Sequence, residues 1–156
     1  MESVTKREKA QALFREGYNC SQAVVLAFEE ELGADRETLA RMASSFGGGL
    51  GRLREVCGAV SGMALVYGCL RGYSAPDDLT GKKEQYTAIQ TLAGEVEKRH
   101  GSIICREIIK SPQKHGNPDP APRTPEYYAV RPCERMVGDA AEILETFLRE
   151  NPVEPR

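Results

Sequence analysis

The residues of this 156-residue chain that point most directly to chemistry are its five cysteines. Four of them, Cys20, Cys57, Cys105 and Cys133, are far apart in sequence but follow similar local signals. A thiolate is the nucleophile of thiol–disulfide exchange and also a ligand of soft metals. We therefore predict that these four residues form one cysteine site.

The local signal before each of the four cysteines is one that favours the start of a helix. These signals are Asn19 before Cys20, the glycine-rich turn 47–51 before Cys57, Ser102 before Cys105 and Pro132 before Cys133. Unpaired N–H groups and the positive end of the helix dipole stabilise a thiolate there, so we expect thiol pKa values below about 8.5. Apolar residues three or four positions later predict that the thiols point inward.

The fifth cysteine, Cys69, does not fit this group. If one helix runs from Cys57 to Cys69, a rise of about 1.5 Å per residue separates the two thiols by roughly 18 Å. Cys69 then lies near the negative end of that helix. We interpret it as a packing residue or an incidental thiol.

The elements that must position the four cysteines are helices. Apolar periodicity predicts them at about 5–16, 19–33, 35–46, 55–70, 80–100 and 132–148, with a short one after Ser102. No strand alternation or Asn-Gly hairpin is present. The sequence therefore predicts an all-α fold, a compact single-domain bundle of about six helices.

A single helical domain of the redox type is predicted over residues 1–156. Within it, 111–130 is predicted to be a proline-rich internal loop, and 151–156 a disordered tail. The loop joins two of the helices that present cysteines, so we expect it to cover the cysteine site.

Composition and charge argue against several function classes. The 21 basic and 23 acidic side chains are interleaved and give a net charge of −2, so no nucleic-acid partner is predicted. The charged N-terminus lacks the apolar core of a signal peptide, and the uncharged run 56–70 is shorter than the roughly 20 residues of a membrane span. We expect a cytoplasmic protein without membrane insertion, in which a structural disulfide framework is disfavoured.

The other polar signals are weaker. The glycine run before Cys57 matches neither a P-loop nor GxGxxG, and we interpret it as a turn that supplies positive φ and allows close backbone approach. His100 and His115 are not clustered and are expected at the surface. Arg106, beside Cys105, favours a thiolate if it faces inward. No nucleophile–base arrangement indicates a hydrolase or a transferase.

Five short motifs along the chain resemble, in order and spacing, the redox-active protein family abbreviated C_GCAxxG_C_C. They are NCSQA at 19–23, FGGG at 46–49, CGAVSG at 57–62, CRE at 105–107 and CE at 133–134. The resemblance extends from about residue 13 to 148. It implies redox activity and identifies Cys20, Cys57, Cys105 and Cys133 as the family's motif cysteines, with Cys69 outside the pattern.

Two redox chemistries are compatible with these cysteines. An iron–sulfur cluster or another thiolate-bound metal uses all four as ligands, whereas a thiol–disulfide protein uses two as catalytic redox thiols that meet in the tertiary structure. We favour the metal–thiolate site for electron transfer, because four similar inward positions suit a tetrathiolate better than one dithiol.

A nonenzymatic helical interaction module, with the cysteines as packing residues, is the alternative from another class. For the redox protein, the expected partner is a redox protein or a small-molecule reductant. A homo-oligomer is also compatible with the sequence.

Overall fold

The computed structural model describes residues 4–110 and 117–153. In these ranges the helices are α1 Lys6–Arg15, α2 Cys20–Ala27, α3 Glu29–Leu32, α4 Arg36–Ala43, α5 Gly58–Arg71, α6 Leu79–His100, α7 Cys105–Ile108, α8 Pro125–Val130 and α9 Cys133–Glu150, with a short 3₁₀ helix at Ser44–Phe46. Six of the nine helices have seven residues or more, and the described part of the chain contains no strand. The predicted all-α fold is confirmed.

The core lies where α2 packs against α1, α5 and α9, and α6 covers α5 and α9 from one side. Most of α2 is buried, and the inner face of α9 consists largely of small and branched residues with no exposed surface, including Val137, Ala140 and Leu144. Small side chains let helix axes approach closely. No helix in the described part of the chain combines the length and the apolar character that a membrane crossing needs.

Local capping signals set several helix ends as predicted. Asn19 caps α2 by accepting the N–H of Gln22, whose side chain accepts the N–H of Asn19 in return. Asp35 caps α4, and Gly33 ends α3 in the left-handed conformation. The Asn19 amide also donates to the Ser44 carbonyl at 3.0 Å, which ties the start of α2 to the end of α4.

The start of α7 differs from the prediction. Ser102 does not cap the helix, because its hydroxyl accepts the N–H of Ile104 and donates to Glu107. The helix instead begins at Cys105. Pro132 is likewise the residue before α9 and not its first helical residue.

The segment 111–130 is not a loop throughout, as was predicted. Its last residues form α8, because the Thr124 side chain accepts the N–H of Tyr127 and Pro125 suits the first turn of a helix. The prediction for 111–116, and that for 154–156 of the tail, concerns residues outside the described ranges.

The crossing of α2 and α5 is close at two glycines of α5. A Cβ atom on Gly58 would lie 2.7 Å from the Phe46 carbonyl oxygen and 3.3 Å from the Cβ of Cys20. A Cβ on Gly62 would lie 3.0 Å from the carbonyl oxygen of Ser21. Only glycine lets the starts of these two helices approach each other this closely.

Asp139 of α9 is the centre of a buried ion-pair network that joins α1, α6 and α9. Its carboxylate accepts from Arg7, lies 2.7 Å from His100 Nε2 and 3.3 Å from Arg99 Nη1. The His100 side chain is only 4 % exposed, so the prediction that it lies at the surface is wrong. His115 lies outside the described residues.

The network also determines how Asp139 titrates. Burial by itself raises the pKa of this carboxyl group, but hydrogen bonds from Arg7 and His100 outweigh burial and hold the pKa below its usual value. A group with a lowered folded pKa stabilises the fold above its unfolded pKa. That contribution is lost as the pH falls through the folded pKa.

Replacing Asp139 tests this network. We expect Asp139→Asn to lower the free energy of unfolding at neutral pH by about 2 kcal/mol, because hydrogen bonds to charged groups contribute roughly 1.5–3 kcal/mol. The difference from wild type should shrink below about pH 4, where the unfolded carboxyl group is protonated. Urea unfolding at neutral pH and below about pH 4 measures this difference in the free energy of unfolding. Glu150→Gln, at the exposed end of α9, is the control. An equal loss at both pH values would contradict the assigned charge.

Two glycine substitutions test the helix crossing. Gly58→Ala should destabilise the protein by about 1–3 kcal/mol, because the new methyl group collides with backbone. Gly94→Ala in α6 is the matched control, since its Cβ would meet no atom within 4 Å. We expect it to stabilise the protein by about 0.5–1 kcal/mol. Thermal unfolding of both variants should show opposite shifts, and a Gly58→Ala variant as stable as wild type would refute the close crossing.

Candidate functional site

Four cysteines line one cavity of about 70 Å³ where the starts of α2, α5, α7 and α9 meet: Cys20, Cys57, Cys105 and Cys133. Three of them are the first residues of their helices, and Cys57 is the residue immediately before α5. Backbone N–H groups and the positive ends of four helices are therefore directed towards the same region. The structure thus brings together the four residues that the sequence singled out.

All five cysteines are free thiols, but they differ in exposure. Cys57 and Cys105 are buried, whereas Cys20 and Cys133 are half-buried. Cys69 is exposed near the end of α5 and does not line the cavity. The structure therefore separates it from the other four, as the helix geometry predicted.

A turn of left-handed residues carries the chain from the 3₁₀ helix to Cys57. Positive φ angles occur at Gly48, Gly49, Leu50, Gly51, Arg52 and Arg54. A Cβ atom on Gly49 would lie 2.7 Å from the Cβ of Cys105, so this glycine allows the start of α7 to pack against the turn. The interpretation of the glycine run as a turn that permits close approach agrees with this geometry.

The segments before α5 and α7 are paired by an isolated antiparallel bridge. The N–H of Cys57 donates to the Ile103 carbonyl at 2.8 Å, and the N–H of Cys105 donates to the Glu55 carbonyl at 2.6 Å. These backbone bonds fix the two buried cysteines relative to each other. A single bridge has no alternating pattern, so the sequence could not reveal it.

Cys20 and Cys133 form a hydrogen-bonded pair in which the Cys20 thiol donates to the Cys133 sulfur. This hydrogen bond lowers the pKa of Cys133 to about 7. Arg131, Tyr127 and Arg123 act in the same direction, whereas burial acts in the opposite one. The same bond raises the pKa of Cys20 well above its usual value. Of the four cavity thiols, Cys133 therefore has the largest thiolate fraction at neutral pH.

The other two thiols are held in the protonated form. Burial raises the pKa of Cys57 to about 12, although backbone N–H groups at the start of α5 act in the opposite direction. Burial also raises the pKa of Cys105, and Arg54, with its Nη1 3.7 Å from the Cys105 sulfur, offsets part of this. The prediction that helix starts lower all four thiol pKa values is therefore wrong except for Cys133. In Cys57 and Cys105 burial raises the thiol pKa by more than the helix start lowers it. In Cys20 the hydrogen bond to Cys133 has the largest raising effect.

Four polar residues that sequence analysis did not single out line the cavity: Arg54, Arg123, Tyr127 and Arg131. Arg106, which was noted for its position beside Cys105, instead donates to the Arg54 carbonyl at 3.2 Å and to the Glu55 carboxylate at 3.3 Å. A signal was available for Arg131, which precedes Cys133 by two residues. The other positions depend on tertiary contacts.

Arg123 attaches the segment before α8 to the cavity. Its guanidinium donates to the carbonyls of Phe14 at 2.8 Å and Tyr18 at 3.0 Å, and lies 4.1 Å from the centre of the Phe14 ring. The described part of the proline-rich segment therefore supplies a wall of the cavity. The wider prediction that the segment covers the site also involves 111–116, which lie outside the described residues.

The donor set of the cavity limits the kind of metal site that fits. Among the described residues, no three His, Cys, Asp or Glu side chains are close enough to share one metal ion. The structure therefore assigns no metal site to Cys20, Cys57, Cys105 and Cys133. An iron–sulfur cluster spreads its cysteine ligands over several iron atoms, and four cysteines are the ligand set that such clusters use.

The thiolate assignment predicts a specific alkylation profile. In the metal-free, reduced Cys69→Ser protein, iodoacetamide should modify Cys133 first, with a rate that rises with pH and has its midpoint near 7. Arg131→Gln should move the midpoint upward, because the guanidinium charge favours the thiolate. Arg149→Gln, exposed in the last turn of α9, is the control and should leave it unchanged. Peptide mapping by mass spectrometry gives each rate, and a Cys133 midpoint above about 8.5 would refute the assignment.

The cavity cysteines lie within the match to a known protein family. The family model described as "Putative redox-active protein (C_GCAxxG_C_C)" matches residues 18–147. No curated protein and no solved structure matches the chain. The matched range includes all four cavity cysteines and most of the helical bundle. The chain therefore belongs to the C_GCAxxG_C_C family.

Proposed function

We propose that this protein is an electron carrier in which the four cavity cysteines hold an iron–sulfur cluster. The observation that carries the proposal is the placement of Cys20, Cys57, Cys105 and Cys133 at four different helix starts around one cavity. Clusters of the [2Fe–2S] and [4Fe–4S] types take four cysteine thiolates, and when bound they supply single-electron transfer. A dithiol reaction would leave two of these cysteines without a role.

The charges around the cavity support a site made of thiolates. Arg54, Arg123 and Arg131 line it, and among the described residues no Asp or Glu does. The guanidinium groups and the four helix starts offset negative charge on the sulfurs. Since Cys20, Cys57 and Cys105 have raised pKa values, binding at the site would release their protons and would weaken as the pH falls.

The different exposure of the four cysteines supports one side of the cavity as the place where electrons are exchanged. Cys57 and Cys105 are 6 % and 7 % exposed, so the side of the cavity that they form is closed to a partner. Cys20 and Cys133 are half-buried and form the more open side. A redox partner would approach there, next to Arg131 and Tyr127.

A second candidate is thiol–disulfide exchange, which the Cys20–Cys133 hydrogen bond and the lowered pKa of Cys133 favour. The Cys133 thiolate attacks one sulfur of a substrate disulfide and releases the other as a thiolate. Cys20 then attacks Cys133 in the mixed disulfide, and its proton passes to a departing substrate thiolate. The protein dithiol becomes a disulfide, and the substrate disulfide gains two electrons and becomes one thiol, which carries the Cys20 proton, and one thiolate.

Protein purified without oxygen separates the two candidates. The cluster predicts iron, acid-labile sulfide and visible charge-transfer bands. Replacing any of the four cavity cysteines by serine should strongly reduce all three, because each supplies one ligand. Cys69→Ser is the matched control, because this thiol is exposed and outside the cavity. Circular dichroism of each variant checks that the helices remain folded.

Other outcomes have equally definite meanings. Protein without iron that loses two thiols on mild oxidation, with a Cys20–Cys133 disulfide found by peptide mapping, would replace the cluster with the second candidate. Protein without iron whose cavity thiols stay reduced and unreactive would refute both.

A further inference from the structure

We propose that an arginine cleft beside the cysteine cavity binds a small organic anion that carries carboxylate or phosphate groups. The cleft has a volume of about 400 Å³, and its polar lining residues include Arg52, Arg54, Arg123, Arg131, Asn19 and Tyr127. Clefts of roughly 300–1,000 Å³ are typical of small-molecule sites. All of these residues except Arg52 also line the cysteine cavity, so the two spaces are adjacent.

The charge in the cleft is not balanced by the residues that form it. No Asp or Glu within 4–110 and 117–153 lines it, although the whole chain has a net charge of −2. Burial and the like charges of Arg54 and Arg131 lower the pKa of Arg52, and the exposed Asp119 opposes this only in part. Guanidinium groups that repel one another across a cleft favour an anion between them.

Thiolates in the cysteine cavity do not account for the whole arginine set. Arg54 donates to Cys105, and Arg123 and Arg131 favour the Cys133 thiolate. Arg52, by contrast, lines the cleft and not the cavity. It therefore extends the positive charge of the cleft beyond the residues that line the cysteine cavity.

Two of the arginines are held in place before any ligand arrives. Arg54 is 7 % exposed, and its Nη1 is fixed against the Cys105 sulfur at 3.7 Å. The carbonyls of Phe14 and Tyr18 orient Arg123. A guanidinium has five N–H donors, so both groups keep donors for a ligand. Preorganised guanidinium groups match the paired oxygens of carboxylate and phosphate.

The position of the cleft indicates what its ligand does. An anion bound there shares a wall with the cysteine cavity and lies beside the reactive sulfurs. It would then be the small-molecule redox partner of the site, and this assignment rests on the proposed function. Binding of the anion itself does not depend on the cluster, because Arg52 and the shared arginines belong to the folded chain.

Calorimetric titration of the full chain with citrate and with pyrophosphate tests the cleft. We expect at least one of the two probes to bind wild type at a single site, with an affinity that falls as sodium chloride is added. Arg52→Gln should weaken that binding by about tenfold or more, since it removes a charge-assisted contact. The substitution keeps a non-glycine residue at a left-handed position, so the backbone requirement is unchanged. Arg41→Gln is the matched control, because its side chain is 80 % exposed on α4, and it should bind as wild type does.

Three results would overturn the proposal: no binding of either probe by wild type, equal affinity in Arg52→Gln, or binding of a polyglutamate peptide alone. The last would make the cleft a docking surface for an acidic protein. Iron content and thiol reactivity, measured on the same samples, separate this inference from the proposed function. Anion binding by protein without iron and with unreactive thiols supports the cleft and removes the redox site. Protein that contains iron but binds neither anion supports the redox site and removes the cleft as an anion site.

Discussion

The crossing of α2 and α5 determines where two of the cavity thiols lie. Gly58 and Gly62 pack against backbone atoms of neighbouring segments, so the helices cannot accept a side chain there without moving apart. Because α2 begins at Cys20 and α5 begins just after Cys57, such a movement would separate the two sulfurs. Gly49 has the same role towards Cys105. The cavity is therefore formed by close backbone contacts, and no disulfide joins its cysteines.

The fourth cysteine depends on a different interaction. Cys133 begins α9, and the same helix carries Asp139 one to two turns later. The ion pairs of Asp139 with α1 and α6 hold the helix in place from its buried face. The ion pairs of Asp139 and the Cys133 thiol are thus connected through one helix. The sulfur of Cys133 is positioned by residues that take no part in its reactivity.

Sequence predicts the local features of this protein well and its tertiary contacts poorly. The cap at Asn19, the helical fold and the place of four cysteines at helix starts follow from short-range patterns. The contact of Arg54 with Cys105, the bridge before α5 and the burial of His100 depend on segments distant in sequence. Thiol pKa values were mispredicted for a related reason. A helix start is visible in sequence, but the burial that opposes it is not.

The left-handed turn before Cys57 has a consequence for how the protein can change. Leu50, Arg52 and Arg54 adopt a conformation that costs an L-residue roughly 1–2 kcal/mol. Glycine at any of the three would relieve this strain, and at positions 52 and 54 it would also remove a guanidinium from the cleft. Under the proposed anion binding, selection for stability and selection for ligand recognition therefore oppose each other at Arg52 and Arg54. At positions 52 and 54 a variant could gain stability in this way only by giving up part of the charge of the cleft, whereas glycine at position 50 would remove no charge.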